Sequence, residues 1–171
     1  MPDYRSHLGS LRSLKANKNR VALFDLDRTL IAVYSAVPLL MEQVKAKQVS
    51  WVGAAQQVFM ALGQSREVYD FEEILDTAIG MLEGVSEQEF IRLGDRLFHK
   101  HLQKKLYVEA QELVDTHRQL GHQLVIVSSA TRYQIEAVAE ALDIDHILCT
   151  ELEVRGGKFT GVIKGEPCWA E

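Results

Sequence analysis

Val21-Ala22-Leu23-Phe24-Asp25-Leu26-Asp27-Arg28-Thr29 decides the reading of this chain. Its first four residues form a short apolar run without alternation, and charged residues bound it on both sides. That pattern predicts a strand buried on both faces, as in a parallel sheet. Ligands of open parallel sheets bind at the carboxyl ends of the strands. Two carboxylates two residues apart, where the chain leaves such a strand, can converge on one ligand. Asp25 is then placed to attack phosphorus and form an aspartyl-phosphate, which splits one hard displacement into two easier ones. Asp27 is placed to protonate the leaving alcohol and afterwards to activate water. A magnesium ion bridging Asp25 and the phosphate would offset the repulsion between two anions, with Asp25 and Asp27 as its candidate ligands. Thr29 helps hold the turn and is a candidate phosphate contact. The competing reading makes Asp25 and Asp27 ordinary residues of a surface turn, and for an isolated DxDxT pattern it carries real weight.

Working outward, a second apolar run spans Gln123–Val127 and ends in Ser128-Ser129-Ala130. Helical spacing precedes it through Leu113, Val114, His117 and Leu120, with Gly121 as a stop, and a helix follows from about Arg132 to Leu142. A third run covers His146–Thr150, so strand, helix and strand form a right-handed parallel crossover. Ser128 and Ser129 stand at the strand-to-helix turn, where a hydroxyl and free backbone amides make an anion site. Alone, either serine reads as a helix cap; beside DxDxT, phosphate binding is favoured. Glu151–Val154 and Lys158–Val162, joined by Arg155-Gly156-Gly157, predict a hairpin.

Residues 33–107 have a different character, helical throughout. Ser50–Leu62, Phe71–Leu82 and Ser86–Leu97 each carry an apolar stripe, and Ser86 with Glu89 reads as a capping box. The segment predicts a helical cap inserted after the first strand, flanked by core segments 20–32 and 108–171. Trp51 and Phe59 read as cap core.

The 171 residues suit one domain carrying an insertion, and the apolar share of 47% suffices for a core. A net charge of −5 gives no reason to expect nucleic acid. Basic residues gather in 1–19, read as a solvated N-terminal tail, although Leu8, Leu11 and Leu14 allow a short amphipathic turn that docks. Cys149 and Cys168 are too few for a disulfide framework, which favours a reducing, cytoplasmic setting. The longest apolar stretch, Leu30–Met41, falls short of the about 20 residues of a membrane span. His99 and His101, two residues apart, point to different helix faces.

DLDRTL at 25–30, the inserted cap, IVSSA at 126–130 and the FTG hairpin at 159–161 resemble the haloacid dehalogenase superfamily, in its subfamily IB, phosphoserine-phosphatase-like branch. The resemblance implies a Rossmann-like α/β sheet with a C1-type cap, Mg²⁺, Asp25 as nucleophile, Asp27 as acid/base and Ser128 as phosphate ligand on a small phosphorylated metabolite. The stretch at 121–144 also resembles phosphatase-like domains fused ahead of lysophosphatidate-type acyltransferases. Tyr34 stands where phosphoserine phosphatases usually carry a glutamate and Ala78 where they carry a cap arginine, which argues against phosphoserine; Arg28 replaces a frequent glycine. The family also has a lysine after the hairpin and acidic residues on a later strand. Lys158 and Lys164 read as hairpin residues and the chain ends at Glu171. The C-terminal strands are therefore expected to be missing, activity of the chain alone to be low, and Val21–Phe24 to be an open edge that recruits a second copy or a partner segment. A non-catalytic domain binding a phosphorylated ligand or a neighbouring domain is the alternative.

Overall fold

Strand β1, Val21–Phe24, pairs in parallel with β2, Gln123–Thr131, which pairs in parallel with β3, His146–Thr150. The computed structural model describes residues 4–50, 53 and 71–168. Helix α5, Val108–Gln119, leads into β2, and α6, Arg132–Ala141, joins β2 to β3. The strand order β1-β2-β3 advances in one direction. Right-handed crossovers then lay both helices on the same face of the sheet. Ala22, Phe24, Leu124 and Ile126 pack there against Val114 and Val138.

This geometry corrects the expectation of a strand buried on both faces. Ala22 and Phe24 are buried, but Val21 and Leu23 are 52% and 65% exposed. The described helices that pack on the sheet lie on one side only, which leaves the Val21 and Leu23 row open, and among the described residues β1 stands at the edge of the order β1-β2-β3.

The second strand runs on past Val127 to Thr131, with its register to β3 shifting between Ser128 and Thr131. Thr131, rather than either serine, is the N-cap of α6: its N–H donates to Gln134 Oε1 at 3.0 Å, closing a capping box. The box expected at Ser86 does not form. Ser86 makes no side-chain cap bond; it bridges Lys158, and the Glu87 N–H donates to the Gly157 carbonyl at 3.0 Å. The hairpin backbone thus meets the first turn of that helix in the cap's place. The hairpin itself is as expected, β4 Leu152–Arg155 and β5 Lys158–Ile163, turned by Gly156 and Gly157 at φ +59° and +74°, the left-handed pair that a two-residue turn requires.

Between β1 and β2 lie α2, Ala36–Lys45, α3, Phe71–Gly80, and α4, Glu87–Leu97, followed by a π turn, Phe98–Leu102, and a 3₁₀ turn, Gln103–Lys105. The Ser50–Leu62 helix, with Trp51 and Phe59, falls outside the described residues, apart from Ser50 and Gly53. Leu97, Phe98 and Leu102 join the sheet's own core, while Ile79, Leu82, Phe90, Tyr133 and Phe159 form a second cluster across α3, α4, α6 and the hairpin. Buried Glu42 of α2 ties this segment together, taking Lys45 at 2.9 Å, His101 at 3.1 Å and Lys100 at 3.5 Å.

The N-terminal segment is not wholly a solvated tail. Tyr4–Arg12 forms helix α1, with Leu8 buried, the Tyr4 hydroxyl donating to the Glu109 carbonyl at 2.9 Å, and Arg12 paired with Glu112 at 2.8 Å. These bonds dock the leucine turn on α5; Leu14 remains exposed. No described helix is long and apolar enough to cross a membrane.

Candidate active site

The loop after β1 winds around one carbonyl. Leu26 O accepts from the amides of Thr29, Leu30 and Ile31 at 3.4, 2.9 and 3.1 Å. Leu26, Leu30 and Ile31 are wholly buried, and burying such side chains stabilises by about 1.5–3 kcal/mol each. Between these anchors Asp25 and Thr29 are exposed and Asp27 is intermediate in burial. Thr29 Oγ1 donates to Asp25 Oδ2 at 3.0 Å, so Thr29 orients the candidate nucleophile directly.

Asp27 is half-buried. Its Oδ1 accepts from the Ser35 N–H at 2.9 Å. Burial pushes its carboxyl above the ordinary value; the Ser35 bonds oppose that, and the Asp25 charge adds to it.

Phe24 lies opposite Ile126 in the parallel ladder, so Asp25 leaves β1 beside Val127 while β2 runs on to Thr131. Ser128 is buried, and its Oγ accepts from the Ala130 N–H at 3.2 Å, which leaves its own proton to donate. The Ser129 carbonyl accepts from Thr150 Oγ1 at 2.8 Å, tying the bulge to β3. The structure therefore places Asp25, Asp27 and Thr29 just after β1, and Ser128 and Ser129 in the last part of β2, where its register to β3 shifts.

Sequence reasoning missed Ser35 and Gln134. Ser35 is fully buried, and its Oγ accepts from Gln134 Nε2 at 2.8 Å. The Thr131-x-x-Gln134 spacing was a readable capping signal; nothing local marked Ser35. Lys158 and Lys164 are exposed, one opening β5 and the other just beyond it. Tyr34 is 60% exposed, with the Arg28 guanidinium 5.7 Å from its ring centre. Burial, above all, pushes the Cys149 thiol up to about 12, so it is no thiolate nucleophile. Among the described residues no group of three or more His, Cys, Asp or Glu side chains gathers as a metal cluster.

The parallel sheet with its helical crossover is a Rossmann-like α/β fold, and two aspartates follow its first strand. The sequence profile of the haloacid dehalogenase-like hydrolases matches residues 22–171, and the chain belongs to that family. It is 27% identical to a phosphoserine phosphatase of Archaeoglobus fulgidus over 148 residues, covering 86% of this chain and 39% of that protein. It is 28% identical to a phosphoserine phosphatase of Mycobacterium tuberculosis over 172 residues, covering 97% and 55%. The chain thus spans about half the length of these curated relatives, or less. Among solved structures, a protein with unknown function from Bordetella pertussis Tohama I superimposes with a TM-score of 0.79 at 23% identity, over 89% of this chain and 69% of that one. A phospho-aspartyl intermediate analogue of phosphoserine phosphatase gives 0.61 at 19%, over 88% and 65%. These likenesses establish the fold.

Proposed function

We propose that this chain carries the site of a magnesium-dependent hydrolysis of small phosphomonoesters through an aspartyl-phosphate on Asp25. One observation carries the reading: Thr29 holds the Asp25 carboxyl just after β1, with half-buried Asp27 two residues on and Ser128 in the neighbouring strand, two residues past the Phe24–Ile126 pair. An oxygen of Asp25 attacks phosphorus, the ester P–O bond breaks, and the leaving alkoxide takes its proton from Asp27. Asp27, now a carboxylate, accepts a proton from water as that water attacks the acyl-phosphate, and inorganic phosphate leaves. Ser128 and the amides of its loop hold the non-bridging oxygens.

Asp25 and Asp27 are the residues that would hold Mg²⁺. Their hard oxygen donors fit that ion, which takes one or two carboxylates and completes its shell with water and substrate phosphate. When bound it supplies charge neutralisation between carboxylate and phosphate. The relatives named phosphoserine phosphatase support the reaction class, but uncharged Tyr34 and Ala78 offer no partners for the amine and carboxylate of phosphoserine, so the substrate we propose is a different small phosphate ester. We also propose that the free edge of β1 takes up a strand of a second copy, because its apolar row is open. A cytoplasmic setting accords with two free cysteines.

The test is turnover of p-nitrophenyl phosphate by the wild type and by Asp25→Asn, followed by a substrate panel. The amide cannot form the acyl-phosphate, so activity should fall by at least 10³-fold, the order expected on losing a nucleophile. Near-wild-type turnover in the variant would overturn the assignment, and phosphoserine giving the highest kcat/KM would overturn the substrate reading.

A further inference from the structure

Asp27 is held by a buried chain of hydrogen bonds that begins on another element. Thr131, at the start of α6, donates its backbone N–H to Gln134 Oε1 at 3.0 Å. A backbone N–H only donates, which fixes Oε1 toward Thr131 and turns the Nε2 donor the other way. Nε2 donates to Ser35 Oγ at 2.8 Å. The Ser35 oxygen is thereby an acceptor, and its own proton remains to be donated. The Ser35 N–H reaches Asp27 Oδ1 at 2.9 Å. Ser35, Gln134 and Thr131 are 0%, 6% and 8% exposed, so water does not compete for these bonds.

Helix capping does not account for the arrangement. A capping box uses only the acceptor of Gln134; its donor is surplus to the cap. Ser35 stands at the N-cap position of α2 yet makes no cap bond there, with φ −63° and ψ −27° already helical. A buried serine that declines its cap, facing a buried amide whose donor the cap does not need, points to a second task.

We infer that Ser35 and Gln134 are positioning residues for the acid/base Asp27, fixing the direction of its carboxylate relative to Asp25 and linking the loop after β1 to the Ser128–Thr131 loop. The inference rests on the phosphatase reading for its catalytic consequence. The Asp27 proton matters most when the leaving group is poor: an alkoxide must be protonated as it departs, whereas p-nitrophenolate departs without help. Misplacing Asp27 therefore damages one substrate class more than the other, and a general loss of folding damages both alike.

The experiment compares Ser35→Ala, Ser35→Thr and Gln134→Met with the wild type on glycerol phosphate and p-nitrophenyl phosphate. Positional loss of a general acid predicts a fall in kcat on glycerol phosphate of roughly tenfold or more, within the about 10²–10⁴-fold that such catalysis contributes in full. The fall on p-nitrophenyl phosphate should be at most about threefold, and Ser35→Thr, which keeps the hydroxyl, should restore most of the difference. A second readout needs no turnover: the ¹³C signal of the Asp27 side-chain carboxyl, two hydrogen bonds from Gln134, should move in Gln134→Met. Equal losses on both esters overturn the positioning role, as does an unmoved Asp27 signal. A wild type that hydrolyses neither ester overturns the phosphatase reading instead, and the carboxyl signal then decides the link by itself.

Discussion

Arg28 adopts φ +64° between the two halves of the DxDxT loop. An L side chain in that left-handed conformation costs about 1–2 kcal/mol, and such strain persists where a functional loop requires it. Its guanidinium over the Tyr34 ring recovers part of that cost, about 0.5–1 kcal/mol at an exposed site. The two effects separate by substitution: Arg28→Ala loses the ring contact and keeps the strain, while Arg28→Gly loses both. The glycine variant should unfold in urea about 1 kcal/mol harder than the alanine variant, and equal midpoints would show that the loop bears no strain. Asp25, Asp27, Thr29 and Ser128 were legible in the sequence because each stands at a fixed offset from an apolar strand. Ser35 was not, because its partner Gln134 lies 99 residues away, and no local pattern encodes a contact of that span.

At the scale of elements, helices α4 and α6 meet at Gly94. A Cβ there would land on the Tyr133 carbonyl oxygen, which is backbone and cannot swing aside. Phe90 and Tyr133 pack edge to face at 5.2 Å beside it. Gly94→Ala should destabilise by about 1–3 kcal/mol through overpacking, read as a lowered urea midpoint; an unchanged midpoint would mean that the helices separate freely. The ionic cluster on α2 has a pH signature. Lys45 first, then His101 and Lys100, hold Glu42 at about 2, against an ordinary 4.5, with burial opposing them. A depressed carboxylate stabilises fully above pH 4.5, and its contribution disappears as pH falls toward 2. Because Lys45 and Lys100 are more than half exposed, screening trims the effect to about 2 kcal/mol. Glu42→Gln should lose that much at pH 7 and converge on the wild type near pH 2 to 3; a gap that stays constant with pH would refute the ionic origin. The sequence marked α4 and its stripe well. It could not mark the π turn after it, since a local over-winding leaves no change in apolar spacing.

Among the described residues, helices cover one face of the sheet, and Val21 and Leu23 are exposed on the other. Apolar runs without alternation announced a parallel sheet, and the order of runs announced its crossovers. Periodicity alone does not say on which sides helices fall, so the one-sided cover of β1 was missed. Val21 and Leu23 beside the unpaired side of β1 make an edge of the kind that recruits another chain. Light scattering should give a mass above that of one chain, and Leu23→Lys should return it to one. A monodisperse wild-type monomer would dispose of the second-copy proposal.

The same edge sets a clock. Within the sheet, β1 is held by one ladder of four residue pairs, and a strand paired on one side opens more often than one paired on both. Each opening loosens the support of Asp25 and Asp27 together, since both follow directly from its end. The time spent closed therefore bounds the fraction of the time in which the two carboxylates stand beside Ser128. Amide exchange at Ala22 and Phe24, whose N–H groups face β2 in the parallel ladder, measures that interval, and whatever pairs the other edge of β1 lengthens it.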